Sequence, residues 1–524
     1  MKLQRNLSYL GLLATSLCGM IGSGWLFVSM IAAKIAGPAA IISWIIGGIM
    51  IAVIAIVFAE LSTMLPVAGS IVRFIHASHG SCTSFCISWL AWLSCVAVAP
   101  TEVCALLQYT GNFYPNLVMS HDNITILTFT GIIVALVMLL IITVINLIAI
   151  KKINQIITKI GLWKVIIPAL TAITIISQHF DTSNFYQFDG FSPNGMHGIL
   201  SAVAAIVVFS LLGFVESTSL SGETKNPQRS IPIAIIGSVI ICIGIYLLLQ
   251  VSFIGALNSN MLNHGWSSLH FSGDLGPFAG IAAIAGLVYL PYLIYADAFI
   301  SPIGTAIAYT TTTARMNYAM GKNNYIPANM TKLNRNSVPY NAVIINFIVG
   351  AALLFPFSAW EDLVKFQSAA IIIAYAAGPI ALLSLRSQAK ELARPFKLPY
   401  YKLVSFLAVY ACNLITYWSG WQSIWRLMLA TIIGLAIFVI YSQKKQSKIA
   451  HRNFKEALWL LAHCCGITLI SYYGNFGGMS LIEFGPDFLV IAAYSFIIIK
   501  IASKIKLKHN ESQEVIKQLL IEAS

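Results

Sequence analysis

Apolar runs of about 20 residues recur along nearly the whole chain, and each run is long enough to cross a bilayer as an α-helix. Only 9% of the 524 residues are charged and 58% are hydrophobic, whereas a soluble protein has about 25% charged residues. We therefore predict an all-α, polytopic membrane protein. We predict about fourteen spans, at residues 8–33, 38–63, 85–112, 124–149, 157–177, 197–220, 231–256, 277–312, 339–356, 363–385, 400–418, 422–442, 456–474 and 485–503.

The positive charges are divided unevenly between the two sides that alternating spans create. If the N-terminus, with Lys2 and Arg5, is cytoplasmic, nearly all of the 31 lysines and arginines are cytoplasmic as well. The exceptions are Lys34, Lys164, Lys365 and Arg426. Such an excess is typical of cytoplasmic loops. The net charge of +13 therefore indicates orientation rather than a nucleic-acid partner, and we predict an inner or plasma membrane protein with both termini in the cytoplasm.

The first span contains the run Gly19-Met20-Ile21-Gly22-Ser23-Gly24-Trp25. Each glycine inside a helix costs about 0.5–1 kcal/mol relative to alanine. In hydrocarbon, a broken helix also exposes backbone groups that lipid cannot satisfy. A break is tolerable where the freed backbone lines a cavity, so Gly22-Ser23-Gly24 is a candidate binding site. The alternative is that these glycines only allow close helix packing.

A second interruption is predicted in the sixth span, in the run from Phe209 to Glu216, which includes Ser210, Leu212 and Gly213. Spans one and six occupy equivalent positions if spans 1–5 and 6–10 form two halves of an inverted repeat. Interrupted helices at corresponding positions of two halves indicate the binding site of a secondary transporter. We expect the two breaks to meet near the middle of the membrane.

Four stretches of this sequence resemble the APC (amino acid–polyamine–organocation) superfamily. They are Gly22-Ser23-Gly24, the run from Gly222 to Pro232 after span six, the run from Asp297 to Thr305 in span eight, and the run from Val338 to Ala342 before span nine. The resemblance covers about residues 8–400. Within the superfamily, the fourteen spans and the run from Met20 to Phe27 are most similar to a bacterial branch that includes aspartate/proton symporters.

The resemblance implies a five-plus-five inverted-repeat core, the LeuT-like fold, that moves amino acids or related amines by alternating access. The core would occupy residues 1–398, additional membrane helices residues 399–503, and a cytoplasmic tail residues 504–524. The implied partners are an amino acid and the lipid bilayer, with protons as the coupling ion and no other cofactor. We expect a monomer or a homodimer.

An α-amino acid needs partners for its carboxylate and for its ammonium group. Amide groups at the start of a half-helix suit a carboxylate, and family members use the positions that match Ser23 and Gly24 in this way. Unwound carbonyls of Met20, Phe209 and Leu212 would accept from the ammonium. Phe209 would also close over the substrate as a lid, unless it only packs. The predicted substrate-binding residues are Met20, Gly22, Ser23, Gly24, Phe209, Ser210, Leu212 and Gly213.

Lys164 lies within the fifth span, where an ammonium group costs at least about 2.5–3.5 kcal/mol. Some superfamily members resembling this chain carry a lysine here, where sodium-coupled relatives of the same fold bind sodium. We therefore predict that Lys164 couples transport to protons, near Gly19, Ser301 and Thr305. The alternative is a lysine that reaches the cytoplasmic interface. Glu216, and with less support Glu102 and Asp297, are further membrane acids that could join a proton relay or only hold helices together.

The chemistry of the substrate's side chain stays open. An aspartate side chain would need a cationic partner, and the acidic-substrate branch is expected to carry a basic residue where this chain has Val215 and Glu216. Lys164 or Arg426 could still contribute such a charge, and a neutral or cationic amino acid is also compatible. The mode of transport is open too, since an amino acid/amine antiporter shares the fold. We find no motif of an enzyme or metal site in the sequence.

Overall fold

The computed structural model describes residues 7–69, 71–111, 113–121, 124–148, 150–269, 276–356, 359–444 and 454–523. Lys2 and Arg5, on which the predicted orientation partly rests, lie outside these ranges. The first half of the chain forms α1 Tyr9–Met20, α2 Gly24–Ala36, α3 Ala40–Met64, α4 Ile71–Thr110, α5 Phe129–Ile148, α6 Ile150–Gln178, α7 Gly195–Ala202, α8 Val208–Ser210, α9 Glu216–Ser219 and α10 Pro227–Gly255. The second half forms α11 Pro277–Ile284, α12 Leu290–Lys322, α13 Tyr340–Leu353, α14 Trp360–Gln388, α15 Tyr401–Trp418, α16 Trp421–Lys444, α17 Leu458–Tyr473, α18 Pro486–Lys504 and α19 His509–Ala523.

The protein is an all-α membrane protein, as predicted. Within the described ranges, ten helices are long and apolar enough to cross a bilayer, with Gly24–Met64 counted as one. Tyr9–Met20 and Tyr340–Leu353 are apolar but shorter. The figure of fourteen spans therefore stays a prediction.

The predicted break in span one is present. Helix α1 ends at Met20, and Ile21 is extended with φ −105° and ψ 90°. Helix α2 then begins at Gly24, with Ser23 at its N-cap. A separate half-helix therefore starts inside the membrane, and its first amide groups have no intrahelical partner.

Span six is interrupted as well. Its helix α7 continues through a π-helical turn at Val203–Val207 into α8, and Leu211 then leaves the helical conformation. A 3₁₀ turn at Leu212–Val215 follows before α9. The predicted break from Phe209 to Gly213 thus coincides with the end of α8 and the irregular turn after it.

Some elements differ from the sequence-based prediction. The predicted span 277–312 is two helices, because Gly286 with φ 73° lies in the turn between α11 and α12. The connection between α4 and α5 also carries an antiparallel hairpin that was not predicted, β1 Val118–His121 paired with β2 Ile124–Leu127. In α4, Gly80 has φ 80°, a conformation open mainly to glycine, so the segment before it bends away from the span.

The C-terminal helix α19 packs on the end of the molecule that carries Leu7, which we call the N-terminal face. Ser512 Oγ donates to the Ala77 carbonyl at 2.7 Å, and Arg73 forms an ion pair with Glu522 at 2.8 Å. The predicted tail therefore folds back onto the first turns of α4 as a helix.

Candidate functional site

The two helix breaks touch each other. A Cβ added to Gly213 would lie 2.5 Å from the Gly19 carbonyl oxygen and 2.5 Å from the Met20 nitrogen. A Cβ on Gly19 would lie 2.8 Å from Glu216 Cγ. Gly213 therefore requires glycine, because the backbone of span one lies too close for any side chain, and at Gly19 a side chain would collide with Glu216. Close packing accounts for this pair of glycines.

A small cavity of about 30 Å³ lies beside the crossing point, between spans one, three, six, eight and ten. Of the predicted substrate-binding residues, Met20, Gly22, Gly24, Phe209 and Leu212 line it. Three others are buried next to it without lining it, namely Ser23, Ser210 and Gly213. Gly19 lines the cavity as well, although its own Cβ position is taken by Glu216.

The amide at the start of the second half-helix holds a carboxylate. Ser23 N–H donates to Glu102 Oε2 at 2.7 Å, and both residues are buried. A Cβ on Gly22 would collide with Glu102 Oε1, so glycine is also needed for this carboxylate to approach. The carboxylate of span three therefore occupies an amide that the sequence assigned to the carboxylate of a substrate.

Two buried tyrosines hold the carbonyl groups that the breaks release. Tyr246 O–H donates to the Met20 carbonyl at 2.8 Å, and Tyr375 O–H donates to the Leu212 carbonyl at 2.7 Å. Each carbonyl oxygen has a second lone pair and can accept another hydrogen bond. The Phe209 carbonyl accepts from the Leu211 amide. Sequence reasoning missed these two tyrosines, because only the fold brings them to the breaks.

Lys164 is fully buried and points inward. Its Nζ donates to the Cys18 carbonyl at 3.0 Å and to Thr305 Oγ1 at 2.5 Å. In a continuous helix the Cys18 carbonyl would accept from the Gly22 amide, four residues on, so the break frees it for the lysine. The ammonium group does not extend to an interface, and Thr305 lies beside it as predicted.

The other predicted coupling residues lie in separate hydrogen-bond groups. Ser301 Oγ donates to Asp297 Oδ1 at 2.6 Å, and Asp297 also accepts from the indoles of Trp25 at 2.7 Å and Trp163 at 2.6 Å. These bonds tie spans one, five and eight together. The Ser301 carbonyl accepts from Thr305 Oγ1 at 3.2 Å, and this contact links Ser301 to the partner of Lys164.

Glu216 lines the cavity next to Gly19. It is 4% exposed, and its carboxylate accepts from Thr312 Oγ1. Its Cγ packs where a side chain on Gly19 would lie. No hydrogen bond joins Glu216 to Lys164 in the part of the chain that the structure describes.

Aromatic rings cover the cavity on the side away from the N-terminal face. Phe209, the predicted lid, lies over Gly24 and meets Trp360 edge to face at 5.8 Å. Trp360 also contacts Phe27 at 5.1 Å, and its indole donates to Ser23 Oγ at 3.0 Å. The chain has 11 tryptophans, and nothing in the sequence distinguishes Trp360 from the others.

Polar contacts close the N-terminal face. Arg315 Nε lies 3.1 Å from Glu223 Oε1, and both side chains are largely buried. The backbone of Leu7 pairs with this loop, since its amide donates to the Glu223 carbonyl at 3.0 Å and its carbonyl accepts from Lys225 at 2.8 Å. The loop after span six thus joins the start of span one to span eight.

Comparison with known proteins places the chain among transporters. The family model described as amino acid permease matches residues 11–460. The glutamate/serine transporter AimA of Bacillus subtilis (strain 168) is 38% identical over 503 residues, which are 95% of this chain and 93% of that protein. The aspartate-proton symporter of the same organism is 33% identical over 501 residues, or 94% of this chain and 95% of its own length.

A solved structure confirms the fold. The crystal structure of a mutant manganese transporter from Eremococcus coleocola superposes with a TM-score of 0.54 at 13% identity, covering 88% of this chain and 95% of that one. At this identity the likeness concerns the fold, which is the five-plus-five inverted-repeat fold expected from the sequence. The related proteins are transporters rather than enzymes. Since the family model and both relatives extend over most of its length, the chain belongs to the amino acid permease family of the APC superfamily.

Proposed function

We propose that this protein is a proton-coupled amino acid symporter that binds its substrate in the cavity where spans one and six cross. The observation that carries the proposal is the hydrogen bond from Ser23 N–H to the carboxylate of Glu102. It places a carboxylate on an amide that a substrate's carboxylate also needs. The names of the two relatives, a glutamate/serine transporter and an aspartate-proton symporter, support an amino acid as the cargo and a proton as the driving ion.

In this proposal, Glu102 and the substrate compete for the Ser23 amide. An ionised carboxylate accepts a stronger hydrogen bond than a neutral one. A proton that binds Glu102 therefore weakens its hold on Ser23 and releases the amide to the substrate. Proton binding and substrate binding then favour each other, which is the thermodynamic requirement for symport.

Lys164 is the second coupling group of the proposal. Thr305 Oγ1, which accepts from its ammonium, and Glu102 both lie where a side chain on Gly22 would be. The lysine and the glutamate thus approach the unwound turn of span one at the same residue. A change of charge on either residue alters the electrostatic field at the other and at the amides between them.

Alternating access requires that the two closures of the cavity open in turn. We assign the outer closure to Phe209 and Trp360, and the inner closure to the Glu223–Arg315 ion pair with the backbone of Leu7. The substrate would enter with the aromatic closure open and leave after Arg315 separates from Glu223. The Met20 and Leu212 carbonyls would meanwhile hold the ammonium group of the substrate.

The test is uptake by the full-length protein in proteoliposomes, measured for a panel of radiolabelled amino acids with and without a pH gradient that is acidic outside. We expect accumulation that depends on the gradient. Counterflow with internal amino acid or amine separates the modes, because an obligatory antiporter gives no net uptake into empty vesicles. Such a result would replace symport by exchange, and the absence of any amino acid or amine transport would refute the proposal.

A Glu102→Gln variant tests the coupling step. Glutamine cannot ionise, so its uptake should lose the response to the pH gradient while exchange of substrate across the membrane continues. Glu483→Gln, at an exposed carboxylate outside the cavity, is the matched control and should respond as the wild type does. Retention of the full response by Glu102→Gln would exclude Glu102 as the coupling acid.

A further inference from the structure

The charges around the cavity are one-sided. Glu102 and Glu216 line it, and its lining contains no lysine, arginine or histidine. Lys164 lies behind Thr305, with its ammonium on the Cys18 carbonyl. A molecule in the cavity therefore meets two carboxylates and no side-chain cation.

The two carboxylates have different surroundings. Glu102 sits at the start of α2, where its carboxylate accepts from the Ser23 amide. Glu216 begins α9 beside Gly19, and its hydrogen-bond partner is the hydroxyl of Thr312. Within the described ranges, no lysine or arginine forms an ion pair with Glu216. Its carboxyl group is thus paired with a hydroxyl and not with a cation.

In the proposed binding mode, the substrate's side chain extends into the part of the cavity that Glu216 borders. A carboxylate on the Ser23 amide and an ammonium on the Met20 and Leu212 carbonyls use the side of the cavity formed by the two breaks. The space that remains is bordered by Glu216 and by side chains of spans three, eight and ten. These are Ser94, Cys95, Val98, Tyr309, Gln367 and Tyr375.

We propose that Glu216 determines which side chains are transported. It favours amino acids whose side chain donates a hydrogen bond to a carboxylate, through a hydroxyl, an amide or a cationic group, and it rejects aspartate and glutamate. This inference rests on the proposed function, since it needs the substrate to bind at the crossing of spans one and six.

Electrostatics supplies the reason for the rejection. The ionised form of Glu216 and a side-chain carboxylate held a few ångströms away repel each other far more strongly in a protein interior than in water. A side chain with a hydrogen-bond donor instead satisfies the free acceptor capacity of Glu216, since an ionised carboxylate has about four lone-pair sites. Like charges in a desolvated site are one of the ways in which a protein excludes a competing ligand.

The experiment is competition for uptake of the best transported amino acid in proteoliposomes that contain the full-length wild-type protein. The competitors are serine, asparagine, glutamine, lysine, aspartate and glutamate. We expect the four donor-bearing competitors to inhibit at concentrations lower by about tenfold or more than the two acids, a difference of at least about 1.4 kcal/mol. Stronger competition by aspartate or glutamate would overturn the inference while leaving amino acid transport intact. Failure of every amino acid to bind or be transported would instead refute the proposed function.

A Glu216→Gln variant shows whether this residue is responsible. The amide has the same shape and can still accept from Thr312, but it carries no charge. The ratio of inhibition by aspartate to inhibition by asparagine should therefore rise by about tenfold. The control Glu483→Gln should leave that ratio unchanged. Where uptake by Glu216→Gln is too slow, the same ratio is read from displacement of bound radiolabelled substrate by the purified variant, and an unaltered ratio in this assay would refute the role of Glu216.

Discussion

Replacement of Gly213 by alanine should separate the two interrupted spans and disable transport. The added Cβ would lie 2.5 Å from the Gly19 oxygen and from the Met20 nitrogen, and it would collide with the Gly19 carbonyl carbon. Ordinary contact begins at 3.4 Å, and all three atoms belong to backbone that cannot rotate away. The spans must therefore move apart by about 1 Å at this point.

The displacement is small for the fold but large for the site. Overpacking of this kind costs about 1–3 kcal/mol, which most proteins survive because their stability is about 5–15 kcal/mol. The groups proposed to bind one substrate, however, lie on both spans. An error of about 1 Å in the placement of interacting groups can cost about 100-fold in rate. We expect Gly213→Ala to fold and to lose between about 10-fold and 100-fold of its uptake rate.

The assay is initial uptake in proteoliposomes, normalised to the amount of folded protein measured by size-exclusion chromatography. Gly244→Ala is the control, because a Cβ at Gly244 in α10 meets nothing within 4 Å. It should transport as the wild type does. Wild-type uptake by Gly213→Ala would show that the contact between the two breaks does not position the site.

Three further substitutions test other contacts. Lys164→Met removes the ammonium held by the Cys18 carbonyl, so uptake should no longer respond to an imposed pH gradient. Trp360→Phe keeps an aromatic ring but loses the hydrogen bond to Ser23, worth about 0.5–1.5 kcal/mol, so the apparent KM should rise by about 2-fold to 10-fold. Glu60→Gln breaks the buried ion pair with Arg386 at 2.6 Å, which should cost about 3–5 kcal/mol and lower the midpoint of thermal unfolding in detergent.

The same measurements can contradict the proposed roles of Lys164, Trp360 and Glu60. A full pH response in Lys164→Met would remove the lysine from the coupling mechanism. An unchanged KM in Trp360→Phe would show that the indole does not support the half-helix that begins at Ser23. Glu60 also accepts from the Leu398 amide at 2.8 Å. An unaltered unfolding midpoint for Glu60→Gln would mean that water satisfies Arg386 and this amide as well as the carboxylate does.

The sequence predicted those parts of the fold that depend on local physical chemistry. Glycines within an apolar run disfavour a continuous helix, so the breaks at Gly22 and near Gly213 were visible without a structure. The length of the apolar runs likewise identified the long helices, because about 20 apolar residues are needed to cross a bilayer. The limits of span eight were wrong because hydropathy alone does not reveal the turn at Gly286, where φ is positive.

Contacts between distant segments were beyond the sequence. Glu102 was recognised as a membrane acid, but its bond to Ser23 joins residues 79 positions apart and depends on how α4 passes the first break. Tyr246 and Tyr375 hold the freed carbonyls in the same long-range manner. The spacing of residues carries no information about such contacts until the helices are packed together.

The most direct test of the central claim is a structure of the protein determined with its transported amino acid bound. We expect the substrate's carboxylate on the Ser23 amide, its ammonium near the Met20 and Leu212 carbonyls, and Glu102 displaced from Ser23. A bound amino acid elsewhere, or one in this cavity while Glu102 still accepts from the Ser23 amide, would contradict the account.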